Sequence, residues 1–505
     1  MVARCRTAVM VGVSARIVDV EADVGSGLPG LTIVGLADTA VSESRDRVRA
    51  AIEHSGLDWP RTRVTVALMP ASLPKRGSAL DAAIAVAILA ASRQVPEDAA
   101  ATSCVLGELG LDGRIHAVPG AIAAALGIQG GDTRLLVPAA GVGEAALVPG
   151  VDVGGVRDLA HLVGVLKGEM PPERGGGGHR VAVDPPPDLA DVRGQSEARR
   201  ALEVAAAGGH HLAMVGVPGV GKTLLAERLP GLMPLLDDST ALEVTSIQSA
   251  AGLDPRGLVR RVPFQAPHHS ASMTAIVGGG QAGRLRIGAA TLAHRGVLFL
   301  DEAPEFARSV LDALRQPLES GEVHIARAEI SGVLPARFCL VLAANPCPCG
   351  KGMGMDASCA CSPGDRRRYT AKMSGPVMDR IDLRVALERP RLAHIGEQGE
   401  ATAAVAARVA EARLRSSARW SADGVTWRVN GEAPGAALRN RHTPDEGGGQ
   451  LLRTAFSRGA LSMRGADRVL RVAWTLADLD GAARPRADHI ADAMVLRGGG
   501  SAWAA

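Results

Sequence analysis

The sequence predicts an α/β protein built around a parallel sheet with helices on both faces. Three short apolar runs, at 212–215, 297–300 and 339–344, indicate buried strands. A glycine-rich loop with a lysine follows the first run, two carboxylates follow the second, and an asparagine follows the third. Buried strands often end in acids, so the acidic pair indicates a nucleotide site only because the glycine-rich loop precedes it in the same chain.

The loop after the first run fits the phosphate-binding pattern G-x-x-x-x-G-K-T. Its residues are Gly216, Val217, Pro218, Gly219, Val220, Gly221, Lys222 and Thr223. The glycines allow backbone N–H groups to turn toward phosphate oxygens, and a helix expected at 224–229 adds partial positive charge. Lys222 would reach the β- and γ-phosphates, and the Thr223 hydroxyl would ligate Mg²⁺. The expected cofactors are therefore ATP and Mg²⁺.

The acidic pair after the second run is Asp301 and Glu302. We expect Asp301 to hold Mg²⁺ through water and Glu302 to orient or deprotonate the attacking water. Asn345 ends the third run and precedes Pro346, a pair that also forms turns.

Length and composition indicate a multidomain protein with no membrane span. The chain has 505 residues, whereas a single core rarely grows past about 250–300 residues. No apolar run approaches the ~20 residues of a spanning helix, and the first residues lack the apolar region of a secretory leader. We therefore expect a cytoplasmic protein. The net charge of +3 leaves nucleic-acid binding undecided, because a basic patch would be local.

Composition shifts divide the chain into five expected segments. They are a mixed α/β domain (1–167), a Gly/Pro linker (168–187), the nucleotide-binding core (188–391), a connecting segment (392–447) and a helical lid (448–505). In the first segment, strands are predicted at 9–20, 31–34 and 63–68, and helices at 38–55 and 79–92. In the core, a lead-in helix is predicted at 189–206.

Three motifs in the first segment carry a family resemblance. GLPGLTIVGLAD (27–38), MPASLPKRGSALDAAIA (69–85) and GELGLDGRIHAVPGA (107–121) resemble the Lon-protease-like (S5-type) domain at the front of the YifB/ComM family. Members of this family are magnesium-chelatase-like AAA+ ATPases. The APHH (266–269) and DRID (379–382) segments follow in the family's order, so the resemblance covers nearly the whole chain. It implies an AAA+ core with a C-terminal helical lid.

The Lon-like resemblance raises the question of peptidase activity. Ser78 lies where a Lon-type serine would sit, but the segment expected to supply the lysine is Ile122-Ala-Ala-Ala. Lys75 and Lys167 lie elsewhere, and a serine needs an adjacent base to become a nucleophile. We therefore expect no peptidase activity and predict that Ser78 caps a helix with Asp81 at its third position.

The resemblance also implies roles for three residues of the second half. Asn345 would be the sensor that positions water near the γ-phosphate. Arg380 would be an arginine finger that reaches the nucleotide of a neighbouring subunit, which requires a homo-oligomeric ring, expected to be a hexamer. The alternative is that Arg380 forms a surface pair with Asp379 or Asp382. Arg464 would be a second sensor that contacts phosphate from the lid of the same subunit.

Two insertions of the AAA+ group that includes magnesium chelatase and the MCM helicases are expected to line the ring pore. The first is 263–280, which is rich in glycine and small polar residues, and the second is a β-hairpin predicted around Ser331–Gly332. His268 and His269 in the first insertion are interpreted as polar loop residues rather than metal ligands, because no third ligand stands at a suitable spacing.

Four of the seven cysteines form a cluster after Asn345. Cys347, Cys349, Cys359 and Cys361 follow the pattern C-P-C-x₉-C-x-C. Four thiolates in a short glycine-rich loop can bind Zn²⁺ tetrahedrally, although C-x-C is tighter than the usual C-x₂-C. Structural zinc and four reduced thiols both remain open at this point.

The family resemblance implies an ATP-driven motor that acts on DNA, with helicase and branch-migration activity in recombination or natural transformation. Within the sequence, Arg366, Arg367 and Arg368 with Tyr369 would bind a DNA backbone and stack one base, or would form a solvated basic turn. Two alternatives are a magnesium-chelatase motor subunit, opposed by the Lon-like front domain, and an ATP-dependent protein remodeller or peptidase, opposed by the missing lysine.

Overall fold

A computed structural model describes most of the chain. The described residues are 2–35, 39–73, 75, 77–175, 185–253, 255, 257–281, 284–327, 330–352, 359–373, 375–389 and 399–498. They form two sheet-containing domains and a set of C-terminal helices.

The first domain contains a seven-stranded mixed sheet in the order β3-β4-β2-β1-β5-β8-β9. The seven strands of this sheet are β1 Val2–Val11, β2 Ser14–Gly25, β3 Gly30–Val34, β4 Arg63–Met69, β5 Ser103–Val105, β8 Arg134–Pro138 and β9 Val153–Val156. Two further strands, β6 Glu108–Leu109 and β7 Ile115–His116, pair with each other in a separate sheet. Its helices are α1 Thr39–His54, α2 Asp81–Ala91, α3 Glu97–Ala101, α4 Ala121–Ile128, α5 Val142–Ala145 and α6 Leu159–Lys167. Every residue of α2 is buried, which makes this helix the centre of the domain's core.

Two predictions for the first domain are wrong. The strand expected at 9–20 is a hairpin, because Gly12 adopts a left-handed conformation (φ +71°) that turns β1 back into β2. Ser78 does not cap the following helix: it begins a short 3₁₀ turn, and α2 starts at Asp81 without a side-chain cap. The buried Asp81 carboxylate instead accepts hydrogen bonds from Ser44 and from Nε of Arg47 (2.8 Å), which fixes it against α1.

The second domain contains a five-stranded parallel sheet in the order β11-β14-β17-β10-β18. Its strands and those of its hairpins are β10 Leu212–Gly216, β11 Phe264–Gln265, β12 Gly279–Gln281, β13 Arg284–Arg286, β14 Val297–Leu300, β15 Glu322–Arg327, β16 Ile330–Pro335, β17 Cys339–Ala344 and β18 Leu383–Leu387. Its helices are α7 Ser196–Gly208, α8 Lys222–Leu232, α9 Asp238–Ala250, α10 Met273–Val277, α11 Ala289–Leu292, α12 Arg308–Ala313, α13 Arg315–Ser320, α14 Pro363–Lys372 and α15 Gly375–Met378.

Both faces of this parallel sheet are covered, as the apolar runs predicted. On β10, Leu212 and Met214 join the core that contains α7 and α8, whereas Ala213 joins a second core on the opposite face. Successive side chains of a strand alternate between faces, so a strand that is apolar throughout must be buried on both. The lead-in helix begins at Ser196 rather than at 189, where a short 3₁₀ turn forms instead.

The predicted hairpin is present as β15 and β16, but its turn lies elsewhere. Arg327 pairs with Ile330, so Ser331 and Gly332 lie within β16, and residues 328–329 between the two strands are outside the described residues. A second hairpin, β12–β13, is its neighbour: a Cβ atom on Gly278 would lie 3.4 Å from the Ile325 side chain.

The C-terminal part is helical. It contains α16 Thr402–Ala422, α17 Gly435–Asn440, α18 Glu446–Ser457, α19 Met463–Leu479 and α20 Ala487–Gly498. Although α16 falls in the segment expected to be a connection, it packs against α7, α8 and α19, so it belongs to the core of the nucleotide domain. Among the helices of the described residues, none combines the length and the apolar character that crossing a bilayer requires.

Candidate nucleotide site

The phosphate loop follows directly from the local sequence. The buried strand β10 ends at Gly216, and α8 begins at Lys222. Gly219 and Gly221 adopt left-handed conformations (φ +77° and +99°), which glycine accepts at little cost. At Gly216 a Cβ atom would lie 2.8 Å from the Val220 side chain, so the loop closes only with glycine there.

Lys222 connects the phosphate loop to the end of β17. Its Nζ donates hydrogen bonds to the carbonyl oxygens of Gly216 (2.6 Å) and Val217 (3.1 Å) and to Oδ1 of Asn345 (3.0 Å). Burial lowers the pKa of Lys222, and the nearby charges of Asp301 and Glu302 oppose that shift. The structure thus brings together the predicted phosphate-binding lysine and the predicted sensor asparagine.

Thr223 and Asp301 form the oxygen-rich part of the site. The Thr223 hydroxyl donates to Oδ2 of Asp301 at 2.7 Å, and Oδ1 of Asp301 accepts the backbone N–H of Glu302 at 2.9 Å. A hydroxyl and a carboxylate from neighbouring elements are ligands that Mg²⁺ accepts beside phosphate oxygens. The residues therefore fit the predicted metal.

Glu302 has an unusual backbone and a partner that the sequence did not reveal. Its φ is +51°, in the left-handed region that a non-glycine residue rarely adopts. Its Oε2 lies 3.3 Å from Nδ1 of His269, and both side chains are partly exposed. Strand β11 pairs in parallel with β14, so the residues that follow each strand reach the same sheet edge. That pairing is the signal that would have placed His269 at the site, but β11 has only two residues and carries no detectable pattern.

The predicted finger Arg380 lies at the amino edge of β18 and is largely buried. It donates to the carbonyl oxygen of Pro376 and forms an ion pair with Glu319. The predicted alternative of a pair with Asp379 or Asp382 is therefore not what the structure shows. Burial lowers the pKa of Arg380, and nearby arginines, including Arg464, add to that shift.

The C-terminal helices, through α19, dock at the same edge of the sheet. Asp382 accepts a hydrogen bond from Arg468 of α19 (2.6 Å) and contacts Nδ1 of His210 (3.1 Å). Burial alone would raise the pKa of Asp382, but the Arg468 charge and the His210 hydrogen bond hold it well below its usual value. The amino end of α19 is thereby fixed beside the start of β18.

The predicted second sensor, Arg464, is also on α19. It is exposed, lies one turn before Arg468 on α19 and groups with Arg380. Leu383 pairs with Leu212, at the amino end of β10, whereas the phosphate loop follows its carboxyl end, about 13 Å farther along the strand. Arg464 thus lies near the start of β18, and the sensor role expected for it stays a prediction.

The four clustered cysteines meet beside the phosphate loop. Their sulfur atoms all lie within 4.8 Å of one another. Cys347 Sγ is 3.3 Å from Cys349 Sγ and 3.7 Å from Cys359 Sγ, and Cys349 Sγ is 3.5 Å from Cys359 Sγ. Disulfide sulfurs are about 2.05 Å apart, so all four are free thiols in a geometry that suits a single metal ion.

The basic triplet beyond this cluster does not form, together with Tyr369, the combined backbone-binding and base-stacking surface that was one of the two expectations. Arg366 donates to Cys359 Sγ at 3.2 Å, and Arg368 pairs with Asp365 at 2.5 Å. Tyr369 is only 4% exposed, so its ring is not available to stack on a base. Helix α14 turns successive residues to different sides, which separates Tyr369 from the exposed Arg367.

Family models match three parts of the chain. A model described as "Magnesium chelatase, subunit ChlI" matches residues 188–395, one described as "Subunit ChlI of Mg-chelatase" matches 20–141, and the corresponding C-terminal model matches 399–497. A shorter similarity, 30% identity over 156 residues, relates 29% of this chain to 28% of Lon protease 2 of Bacillus subtilis.

Relatives similar over their full length place the chain in one family. It is 50% identical to an uncharacterized protein of Mycobacterium tuberculosis, over 96% of both chains. It is 39% identical to the protein YifB of Escherichia coli, over 97% of this chain and 96% of the relative. It is also 39% identical to the competence protein ComM of Haemophilus influenzae, over 96% of this chain and 95% of the relative. The chain is a member of the YifB/ComM family of magnesium-chelatase-like AAA+ proteins.

Proposed function

We propose that this protein is an ATP-hydrolysing ring motor that moves DNA. The observation that supports hydrolysis is the meeting of Lys222, Thr223, Asp301 and Asn345 at one sheet edge, with Glu302 beside them. These are the groups that phosphoryl transfer to water requires, and they come from three neighbouring parallel strands.

Each group has a defined task in this proposal. Lys222 leaves its two carbonyl partners and neutralises the β- and γ-phosphates, while the loop amides bind phosphate oxygens. Thr223 and Asp301 would hold Mg²⁺, which supplies charge neutralisation at the phosphates. Glu302 accepts a proton from the attacking water, and Asn345, already bonded to Lys222, orients that water near the γ-phosphate.

A ring follows from the position of the two arginines. Arg380 and Arg464 lie at the sheet edge opposite the phosphate loop of their own chain. In a closed ring, this edge of one subunit would face the nucleotide of the next. The exposed Arg464, and Arg380 once it leaves Glu319, would then stabilise charge on the neighbour's phosphates. We infer a homo-oligomer, expected to be a hexamer, because the site is incomplete without the neighbour.

The assignment of DNA as substrate is supported by the relatives and by the insertions. One relative is a competence protein, 39% identical over nearly its whole length. The hairpin β12–β13, which neighbours β15–β16, carries the exposed Arg286, whose charge suits contact with phosphates in a pore. We infer helicase and branch-migration activity in recombination or natural transformation, carried out in the cytoplasm, where DNA and ATP are both present.

A second candidate function is ATP-dependent protein remodelling, favoured by the similarity to Lon protease 2 over 156 residues. The test that separates the two is steady-state ATPase activity with Glu302→Gln as the blank. The protein is measured alone, with single-stranded DNA, with a four-way DNA junction and with unfolded casein. Stimulation by DNA and not by casein supports the DNA motor, the reverse result supports remodelling, and stimulation by neither contradicts both.

The cysteine cluster adds a structural cofactor to the proposal. Cys347, Cys349, Cys359 and Cys361 offer the closed four-sulfur set that structural Zn²⁺ prefers. A cytoplasmic location keeps these thiols reduced and available to the metal.

A further inference from the structure

The cysteine loop contacts two parts of the nucleotide site. It begins two residues after Asn345, the residue that is bonded to Lys222. Gly350 in this loop packs on the phosphate loop so closely that a Cβ atom there would lie 2.8 Å from Cγ of Pro218. The loop is therefore placed between the end of β17 and the phosphate loop.

A third contact is made by the segment that follows the last cysteine of the cluster. Helix α14 follows the last cysteine, and its Tyr369 side chain is buried beside the backbone of Asn345, which opposes the rise in the pKa of Tyr369 that burial causes. The helix starts with a capping box, in which Ser362 and Asp365 satisfy each other's backbone N–H groups, so its position immediately after Cys361 is well defined. Asn345 is thus held from both ends of the segment that carries the cysteines.

The surroundings of the sulfur atoms are those of a metal-thiolate centre. In a tetrahedral site with Zn–S bonds of about 2.3 Å, the sulfurs are about 3.8 Å apart. The sulfurs of Cys347, Cys349 and Cys359 are 3.3–3.7 Å apart, and all four sulfurs lie within 4.8 Å of one another. Arg366 donates to Cys359 Sγ and partly offsets the negative charge of four thiolates.

The backbone at Gly352 lies close to the sulfurs and leaves no room there for a side chain. A Cβ atom at this position would lie 2.9 Å from Cys347 Sγ and 3.6 Å from Cys359 Sγ, so the backbone passes directly over two of the ligands. Four sulfurs held this close without a shared cation would repel one another when ionised, and a metal removes that repulsion.

We propose that one Zn²⁺ bound by Cys347, Cys349, Cys359 and Cys361 fixes Asn345 and Gly350 against the phosphate loop, so that ATP hydrolysis depends on the metal. The inference rests on the proposed ATPase function and adds a regulatory cofactor to it. The four cysteines act as positioning residues through Asn345 and Pro218. Without the ion, the segment after Asn345 loses its cross-link and Asn345 its fixed place beside Lys222.

We expect zinc removal to change the turnover rate more than the affinity for ATP. Lys222 and Thr223 begin α8, and the loop amides lie between β10 and α8. The cysteine segment meets this loop only where Gly350 packs on Pro218, so we expect ATP still to bind without the metal. Asn345 orients the water only if it is fixed, so its displacement lowers kcat. We expect zinc removal to lower kcat by about tenfold or more, while the Kd for ATP changes by less than about threefold.

The experiment uses the full chain purified without added metal. Elemental analysis gives the zinc content of the wild-type protein and of Cys359→Ser, Cys361→Ser and the control Cys104→Ala, whose cysteine lies in the first domain. The wild-type protein is also stripped with a strong chelator and reloaded with Zn²⁺. Steady-state ATPase activity gives kcat, and binding of a fluorescent ATP analogue gives Kd.

Hydrogen exchange provides a readout that does not need hydrolysis. Amide protection is measured by mass spectrometry in peptides that cover 216–223 and 339–352, before and after chelation. One equivalent of zinc, loss of protection and loss of kcat on chelation, and recovery on reloading support the proposal. Cys104→Ala should keep both zinc and kcat.

Three results would overturn parts of the argument separately. Less than a tenth of an equivalent of zinc in the wild-type protein refutes the metal site. Full zinc content with unchanged protection and kcat after chelation refutes the link to Asn345 and leaves a purely structural ion. No ATP hydrolysis under any condition refutes the proposed function, whereas zinc content and hydrogen exchange still decide the metal-dependent positioning.

Discussion

Nδ1 of His269 lies 3.3 Å from Oε2 of Glu302, so the residue expected to activate water is paired with the insertion that follows β11. A carboxylate that is engaged by an imidazole is less available to accept a proton from water. The pair therefore links the position of the insertion, which would line the pore, to the rate of hydrolysis.

The first prediction concerns this pair. We expect His269→Ala to raise ATPase activity without DNA by about threefold and to reduce the stimulation by DNA, because Glu302 is then free in both states. His268→Ala is the matched control: His268 stacks on His269 at 4.1 Å and contacts Ser270, but its exchange leaves the carboxylate pair in place. Lower activity without DNA in His269→Ala would instead assign His269 a direct role in orienting Glu302.

The second prediction separates nucleotide binding from turnover. Lys222→Ala should abolish ATP binding, because the only ammonium among the described phosphate-loop residues is lost. Glu302→Gln should bind ATP normally and lower hydrolysis by at least about a hundredfold, since an amide cannot accept the proton. Fluorescent-ATP binding and phosphate release measure the two effects. Tight ATP retention with undiminished hydrolysis in Glu302→Gln would remove its assigned role.

These predictions rest on features that differ in how visible they are in the sequence. The phosphate loop, Asp301 and Asn345 follow buried apolar strands, so short-range patterns place them correctly. His269 and Arg464 depend on the pairing of β11 with β14 and on the docking of α19, which are long-range contacts without a local signal. The failed cap at Ser78 has the same origin, because Arg47 of a distant helix engages Asp81.

The third prediction concerns stability and pH. Asp382 is 2% exposed and is held by Arg468 and His210, so Asp382→Asn should lower the free energy of unfolding by about 3–5 kcal/mol. The exposed neighbour Asp379→Asn is the control and should change it little. Urea denaturation of the two variants and the wild-type protein measures the difference.

The pH dependence of the Asp382 effect has a definite sign. The pKa of Asp382 in the folded protein lies well below its ordinary value of 3.8, so its stabilisation is fully present above that value. It is lost as the pH falls through the folded pKa. The difference between wild type and Asp382→Asn should therefore stay constant from about pH 5 to 8 and shrink below about pH 4. A difference that grows toward low pH would contradict the assignment.

The last prediction tests whether Arg380 and Arg464 act on a neighbouring subunit. Both lie away from the phosphate loop of their own chain, and Arg464 is exposed. Arg464→Ala and Lys222→Ala should each be inactive alone, the first because one of the two arginines that act on the neighbour's phosphates is lost and the second because no ATP binds. In mixed rings, the intact phosphate loop of an Arg464→Ala subunit meets the intact arginine of a Lys222→Ala neighbour. A random equal mixture should then recover about one quarter of wild-type ATPase activity, since half of the loops and half of the neighbouring arginines are intact.

Arg380→Ala mixed with Lys222→Ala should behave in the same way, and each variant mixed with wild-type protein controls for subunit exchange. If exchange occurs and no activity returns, the arginines act within their own subunit and the inferred ring geometry is wrong.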